Sequence, residues 1–140
     1  MTRLVIRGAR LLGADAADLL VEDGVITEVG SVGAKGTRNW DVVDADGLVV
    51  LPGLVDLHTH LREPGREDAE TIESGSAAAA VGGFTAILAM ANTTPVTDTA
   101  EAAERILDLG LAAGLVDVVP VGAVTKGLEG AELAELGLMH

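Results

Sequence analysis

Cysteine is absent from the 140 residues, which excludes disulfides, Cys-based zinc sites and any thiol nucleophile. Aromatic residues are nearly absent: Trp40 and Phe84 stand alone, with no Tyr. The core must therefore be built from Ala, Val, Leu and Ile. Basic residues are few. Nine Lys and Arg against 22 Asp and Glu give a net charge of −13. A surface of that sign repels phosphate backbones and argues against a nucleic-acid partner. Long apolar runs are also missing. No window approaches the roughly 18 uninterrupted apolar residues of a membrane span. The apolar stretch within Met1–Ile6 is too short for a signal peptide. A soluble protein of the cytoplasm, with no membrane partner, is the expectation.

The remaining composition is that of a globular chain, with 49% hydrophobic and 22% charged residues. The length suits one modest domain of about 100–200 residues.

The first 52 residues read as β. Leu4-Val5-Ile6 is a short apolar run bounded by Gly8. Leu19 to Glu22, Asp23-Gly24 and Val25 to Val29 form a hairpin signal, since Asp-Gly supplies the two positive-φ positions of a type I′ turn. Gly30 to Asn39 reads as loop, and Trp40–Val43 and Leu48–Leu51 as two more short strands. Their close spacing suggests a small sandwich or meander.

After Pro52-Gly53 the rhythm changes. Leu54 to His58 reads as a strand. Asp68 to Val81 reads as an Ala-rich helix, with Asp68 as its N-cap and Gly82-Gly83 closing it. Phe84 to Met90 is a strand-length apolar run. Asp98-Thr99-Ala100-Glu101 resembles a capping box with Asp in the Ser/Thr position, opening a helix with Ala103, Ile106, Leu107 and Leu111 on one face. Asp117 to Ala123 is a third strand, and Gly130 to Leu136 suggests another helical turn or two. Alternating strands and helices indicate parallel βαβ units. Strand starts at Leu54, Phe84 and Asp117 lie 30 and then 33 positions apart, the length of a βα unit.

The sharpest chemical feature is Asp56-Leu57-His58-Thr59-His60. On a strand, residues i and i+2 face the same side. His58 and His60 can therefore present two imidazoles to one metal ion, with Asp56 lower on the same face. They end the first strand of the βα series, and in parallel α/β proteins that end carries the chemistry. The bland alternative is a pair of histidines bonded to backbone at a strand end. Two histidines do not complete a catalytic zinc site, which needs at least three protein ligands. The remaining histidine is His140, the last residue.

Arg62 follows the pair at i+4 from His58. Its planar fork suits a substrate carboxylate, although pairing with Glu63 or Glu67 is the simpler expectation. Asn92 lies just past the second strand and would share a rim with the histidines. Its amide can donate to a carboxylate, or it can simply form a turn before Pro95. No glycine spacing makes a phosphate-binding loop. Lys126 reads as a surface lysine, and the acidic residues of 129–135 as a solvated face.

Pro52-Gly53-Leu54-Val55-Asp56-Leu57-His58-Thr59-His60 resembles the first-strand signature of the amidohydrolase superfamily. Leu61-Arg62-Glu63-Pro64-Gly65 narrows the resemblance to dihydroorotase-like cyclic amidases. Gly82-Gly83-Phe84-Thr85, Met90-Ala91-Asn92-Thr93 and Val121-Gly122-Ala123-Val124-Thr125 resemble the following strands of dihydroorotases. The class resembled is the bacterial one in which an Asp bridges the metals. The resemblance implies an α/β fold, a (β/α)8 TIM-like barrel with a small β domain drawn from both chain ends. Residues 1–52 would be the N-terminal β segment of that composite domain, and residues 53–140 the first three βα units.

It further implies the reversible cyclisation of N-carbamoyl-L-aspartate to dihydroorotate, in pyrimidine synthesis, with zinc as cofactor and two ions per full-length subunit. His58 and His60 carry over as ligands of one zinc. His60, Arg62 and Asn92 carry over as the substrate-binding residues. The bridging Asp, two further histidines and the proton-shuttling Asp come from later strands in the family, so no catalytic proton carrier is expected within these residues. A barrel needs about 250 residues, so the chain is expected to be the first part of such an enzyme and inactive alone. A homodimer, or a complex with aspartate transcarbamoylase, would be the expected assembly. The alternatives are another cyclic amidase (hydantoinase, dihydropyrimidinase or allantoinase) and a non-catalytic dihydroorotase-like partner of aspartate transcarbamoylase. The first would lack the Arg62 and Asn92 clamp, and the second would have lost the metal histidines.

Overall fold

The computed structural model describes residues 2–31 and 39–139. Most of the loop expected between Gly30 and Asn39, and the terminal His140, lie outside the described residues. The chain divides into two compact units, Met1–Pro52 and Gly53–His140.

The first unit is a single mixed sheet. Its strands are β1 (Arg3–Leu11), β2 (Ala16–Glu22), β3 (Val25–Gly30), β4 (Asp41–Asp44) and β5 (Val49–Val50). The order is β3-β2-β1-β4, with β5 also pairing β1. The β2–β3 hairpin turns at Asp23 and Gly24, with φ of 48° and 82°, the signs a type I′ turn requires. β1 runs well past the Leu4–Ile6 segment that hydrophobicity marks. It crosses Gly8 at a register shift, where the Gly8 N–H donates to the Asp18 carboxylate at 3.0 Å. Ala9, Leu19 and Ala45 are buried together, with Ile6, Leu11 and Val50 packed against them.

The second unit is parallel α/β. β6 (Leu54–Thr59), α1 (Ile72–Val81), β7 (Phe84–Ala89), α2 (Ala100–Ala113) and β8 (Asp117–Pro120) follow in sequence. The strands form a parallel sheet ordered β6-β7-β8. All three begin at the residues where the apolar runs begin. Leu61, Ile72, Ile87, Ala89, Ile106 and Val118 make the core between strands and helices. With Phe84 as its one aromatic neighbour, this core is aliphatic, as the composition requires.

The helix ends differ from the sequence reading. α1 is capped by Thr71, not Asp68. The Thr71 hydroxyl accepts from the Ser74 N–H, and the Ser74 hydroxyl returns a bond to the Thr71 N–H. α2 is capped by Thr99, whose hydroxyl accepts from the Ala102 N–H, while the Asp98 carboxylate turns to the Gly127 N–H. On α2 the buried positions are Ile106 and Gly110; Leu107 and Leu111 are exposed. The expected helix at 130–136 does not form. A 3-10 turn at Lys126–Leu128 is followed by a return of the chain, with Thr125 bridging Leu133. There the Lys126 N–H donates to Glu132 and the Ala134 N–H to Val124, so backbone groups are satisfied across a bend instead of along a helix.

Candidate metal and carboxylate site at the strand ends

β6 delivers the histidines. Its ladder to β7 continues past the last strand residue, with the Met90 N–H donating to the Thr59 carbonyl at 2.9 Å. This ties the end of β6 to the end of β7, just before His60, after a register shift between Asp56 and Thr59. The two imidazoles are neighbours, their centroids 5.1 Å apart and their planes inclined by 68°. Asp56, on the same strand, accepts the His58 N–H at 3.0 Å.

Asn92 comes from the segment after β7. Its Oδ1 lies 2.7 Å from His60 Nδ1. An amide oxygen only accepts, so the ring nitrogen facing it carries the proton. With Nδ1 turned to Asn92, Nε2 is the ring nitrogen left open to a metal. The turn behind Asn92 is held by Thr93, whose hydroxyl donates to the Pro95 carbonyl at 2.7 Å and lies 2.9 Å from the hydroxyl of buried Thr97. The Ala123 N–H donates to the Thr97 carbonyl, fastening the loop after β8 to the loop after β7.

Arg62 sits in the loop after β6, exposed, with φ of 64°. The ion pair with Glu63 or Glu67 that sequence alone favours does not form. Glu63 accepts the Ile72 N–H at 2.7 Å, and Glu67 accepts the Gly65 N–H at 2.9 Å. Among the described residues Arg62 makes no ion pair. The Gly65 amide, and then the Glu67 backbone, hold the Glu67 carboxyl below its ordinary pKa. The roles of these two glutamates escaped the sequence reading. The one signal for Glu63 is its position shortly before a helix start, where acceptors meet unpaired N–H groups, whereas Glu67 turns back to an amide of its own loop. Lys126 pairs with Glu132, which raises its pKa, as suits a surface lysine.

The structure thus joins His58, His60 and Asn92 by direct contact, with Arg62 on the adjoining loop. Among the described residues no group of three or more His, Cys, Asp or Glu gathers around a point, so no third such ligand joins the two imidazoles there. An apolar cleft of about 480 Å³ lies elsewhere, where Phe84 and Asp117 begin β7 and β8, so it opens at the opposite end of the strands from the histidines.

A family model described as dihydro-orotase-like matches residues 47–140. The chain belongs to the dihydroorotase-like family. It is 57% identical to the dihydroorotase of Streptomyces coelicolor over 141 residues, covering 100% of this chain and 32% of that protein. Against the dihydroorotase of Mycobacterium tuberculosis it is 56% identical, covering 98% and 32%. It spans about a third of the length of these curated relatives. Among solved structures it is similar to an L-hydantoinase (dihydropyrimidinase) from Arthrobacter aurescens, with a TM-score of 0.72 and 30% identity over 91% of this chain and 29% of the other. A D-hydantoinase at 22% identity, with a TM-score of 0.62 over 98% of this chain and 36% of the other, shares the fold. The dihydroorotase-like chain therefore has the fold of the first part of an amidohydrolase barrel, with its β segment ahead of the βα units. Among the described residues no helix is long and apolar enough to cross a membrane.

Proposed function

We propose that this chain supplies the first part of a dihydroorotase active site, for the reversible cyclisation of N-carbamoyl-L-aspartate to dihydroorotate in pyrimidine synthesis. The observation that carries the reading is the His60–Asn92 contact, which ties a paired-histidine strand end to a polar group suited to a carboxylate. The 56–59% identity to proteins named dihydroorotase supports it.

The residues present fit a divalent metal. Two imidazoles adjoin, and the proton on one is fixed on the nitrogen that faces Asn92. In this reading His58 and His60 hold one zinc, and two zinc ions serve each full-length subunit. Zinc, when bound, supplies Lewis acidity toward the amide carbonyl and activates water near neutral pH. Further ligands and the proton-shuttling Asp belong to other parts of the enzyme. Arg62 grips the substrate carboxylate with its planar fork. Asn92 spends its oxygen on His60 and keeps both amide N–H donors for the same carboxylate. His60 lines the site between them. Residues 53–140 act as the first three βα units of the barrel, and residues 1–52 as the N-terminal part of its β domain. The enzyme works in the cytoplasm, as a homodimer or with aspartate transcarbamoylase.

A hydantoinase-type activity is the second reading, favoured by the solved neighbour at 30% identity. A substrate panel on the full-length, zinc-loaded protein separates them. Turnover of dihydroorotate, with little on unsubstituted hydantoin, is expected. The reverse preference would overturn the proposal.

A further inference from the structure

We propose that Glu63 is a positioning residue, which fixes the backbone turn presenting Arg62 and keeps its own carboxylate away from that guanidinium. The inference rests on the reading of Arg62 as the carboxylate binder.

The turn is unusual. The Glu63 N–H donates to the Leu61 carbonyl at 2.8 Å, closing a three-residue turn with Arg62 at its apex and φ of 64°. A γ-turn of this hand is rare and strained for any residue with a side chain. Such a conformation persists only when its surroundings over-determine it. Here both flanks are held. Leu61, before the apex, is buried in the core beside Ile72. Glu63, after the apex, reaches forward nine residues, and its Oε2 accepts the Ile72 N–H at 2.7 Å. Ile72 opens α1, where the Thr71–Ser74 capping box serves other N–H groups. Glu63 thus takes an orphan donor at the positive end of the helix, a favourable place for a carboxylate. The Pro64 carbonyl accepts the Thr94 N–H at 2.9 Å, so the same loop is stitched to the segment that carries Asn92.

Two consequences follow for Arg62. Its main chain is locked in the one conformation that the turn allows. Its nearest acidic neighbour in sequence is also engaged by a backbone amide, so it does not compete with an incoming carboxylate. Without the Glu63 anchor the turn relaxes to an ordinary conformation, and the released loop no longer aims the guanidinium.

The test uses full-length, zinc-loaded protein with N-carbamoyl-L-aspartate as substrate. Glu63→Ala should raise KM roughly 10- to 100-fold, the range expected for a misplaced binding group, with kcat and zinc content near wild type. Glu63→Gln keeps an acceptor of the same reach and should restore most of the affinity. In an Arg62→Ala background, Glu63→Ala should add little, because the two act on one contact. If Glu63→Ala lowers kcat and zinc together, if Glu63→Gln is as weak as Glu63→Ala, or if the losses multiply in the double variant, Glu63 is only a structural cap and the proposal falls. If Arg62→Ala alone leaves KM unchanged, the carboxylate reading of Arg62 fails first, a result distinct from failure at Glu63.

Discussion

His60 faces two ways, and its two sides can be tested apart. Asn92→Ala leaves the His60 Nδ1 proton without its acceptor. Loss of such an outer contact should weaken zinc binding by about 10–100-fold, measured by chelator competition. Asn92→Asp should keep zinc, because a carboxylate accepts the same proton, yet bind the anionic substrate poorly through like-charge repulsion. Equal zinc loss in both variants would contradict this division of labour. His58→Ala or His60→Ala should lower zinc content and abolish turnover, and unchanged metal stoichiometry in both would refute a shared ion. At Glu67 the folded-state pKa is lowered, chiefly by the Gly65 amide. The unfolded chain then binds this proton more readily, so the contribution is present above the ordinary carboxylate pKa and is lost as pH falls through the lowered one. An NMR titration should place the Glu67 midpoint below those of exposed glutamates, and Glu67→Gln should remove that part of the acid dependence.

Among the elements, close packing of α2 on β8 sets a stricter limit than helix propensity. A Cβ on Gly110 would lie 2.5 Å from the Val118 Cβ. Gly110→Ala would gain up to about 1 kcal/mol in an open helix, but here overpacking should cost about 1–3 kcal/mol. Denaturant unfolding of the full-length protein should show net destabilisation. Strands were legible because Leu54, Phe84 and Asp117 open apolar runs at βα spacing, and the hairpin was legible because Asp23-Gly24 has a local conformational requirement. Helix starts were displaced because several polar residues compete to cap. Thr71 and Thr99 win by each reaching an N–H group three residues on, while Asp98 finds Gly127 across the loop. The 130–136 segment has helical composition, but its backbone pairs with residues 124–126. In the site, the closeness of the His58 and His60 rings follows from their i, i+2 spacing at a strand end. The engagement of Glu63 and Glu67 was not legible in the sequence, because it depends on where the chain folds back.

At the scale of the molecule, the apolar surface of the second unit indicates how it behaves alone. Leu54, Val55 and Leu57 on β6 and Val119 on β8 are exposed, as are Leu107 and Leu111 on α2. Both outer strands of the three-stranded sheet are edges. Exposed apolar edges of this kind drive association. The 140-residue chain alone should therefore self-associate in light scattering, bind zinc weakly and show no turnover. A cooperative monomeric melt with activity would contradict that. The central claim, that the strand ends pair a metal-binding histidine couple with a carboxylate clamp, is tested most directly by the kinetics of Arg62→Lys in the full-length enzyme. Lysine keeps the charge and loses the fork. Losing one charge-assisted hydrogen bond costs about 1.5–3 kcal/mol, so kcat/KM for N-carbamoyl-L-aspartate should fall by roughly one to two decades with zinc content unchanged. Wild-type kinetics, or an equal loss on a cyclic amide without a carboxylate, would contradict the account.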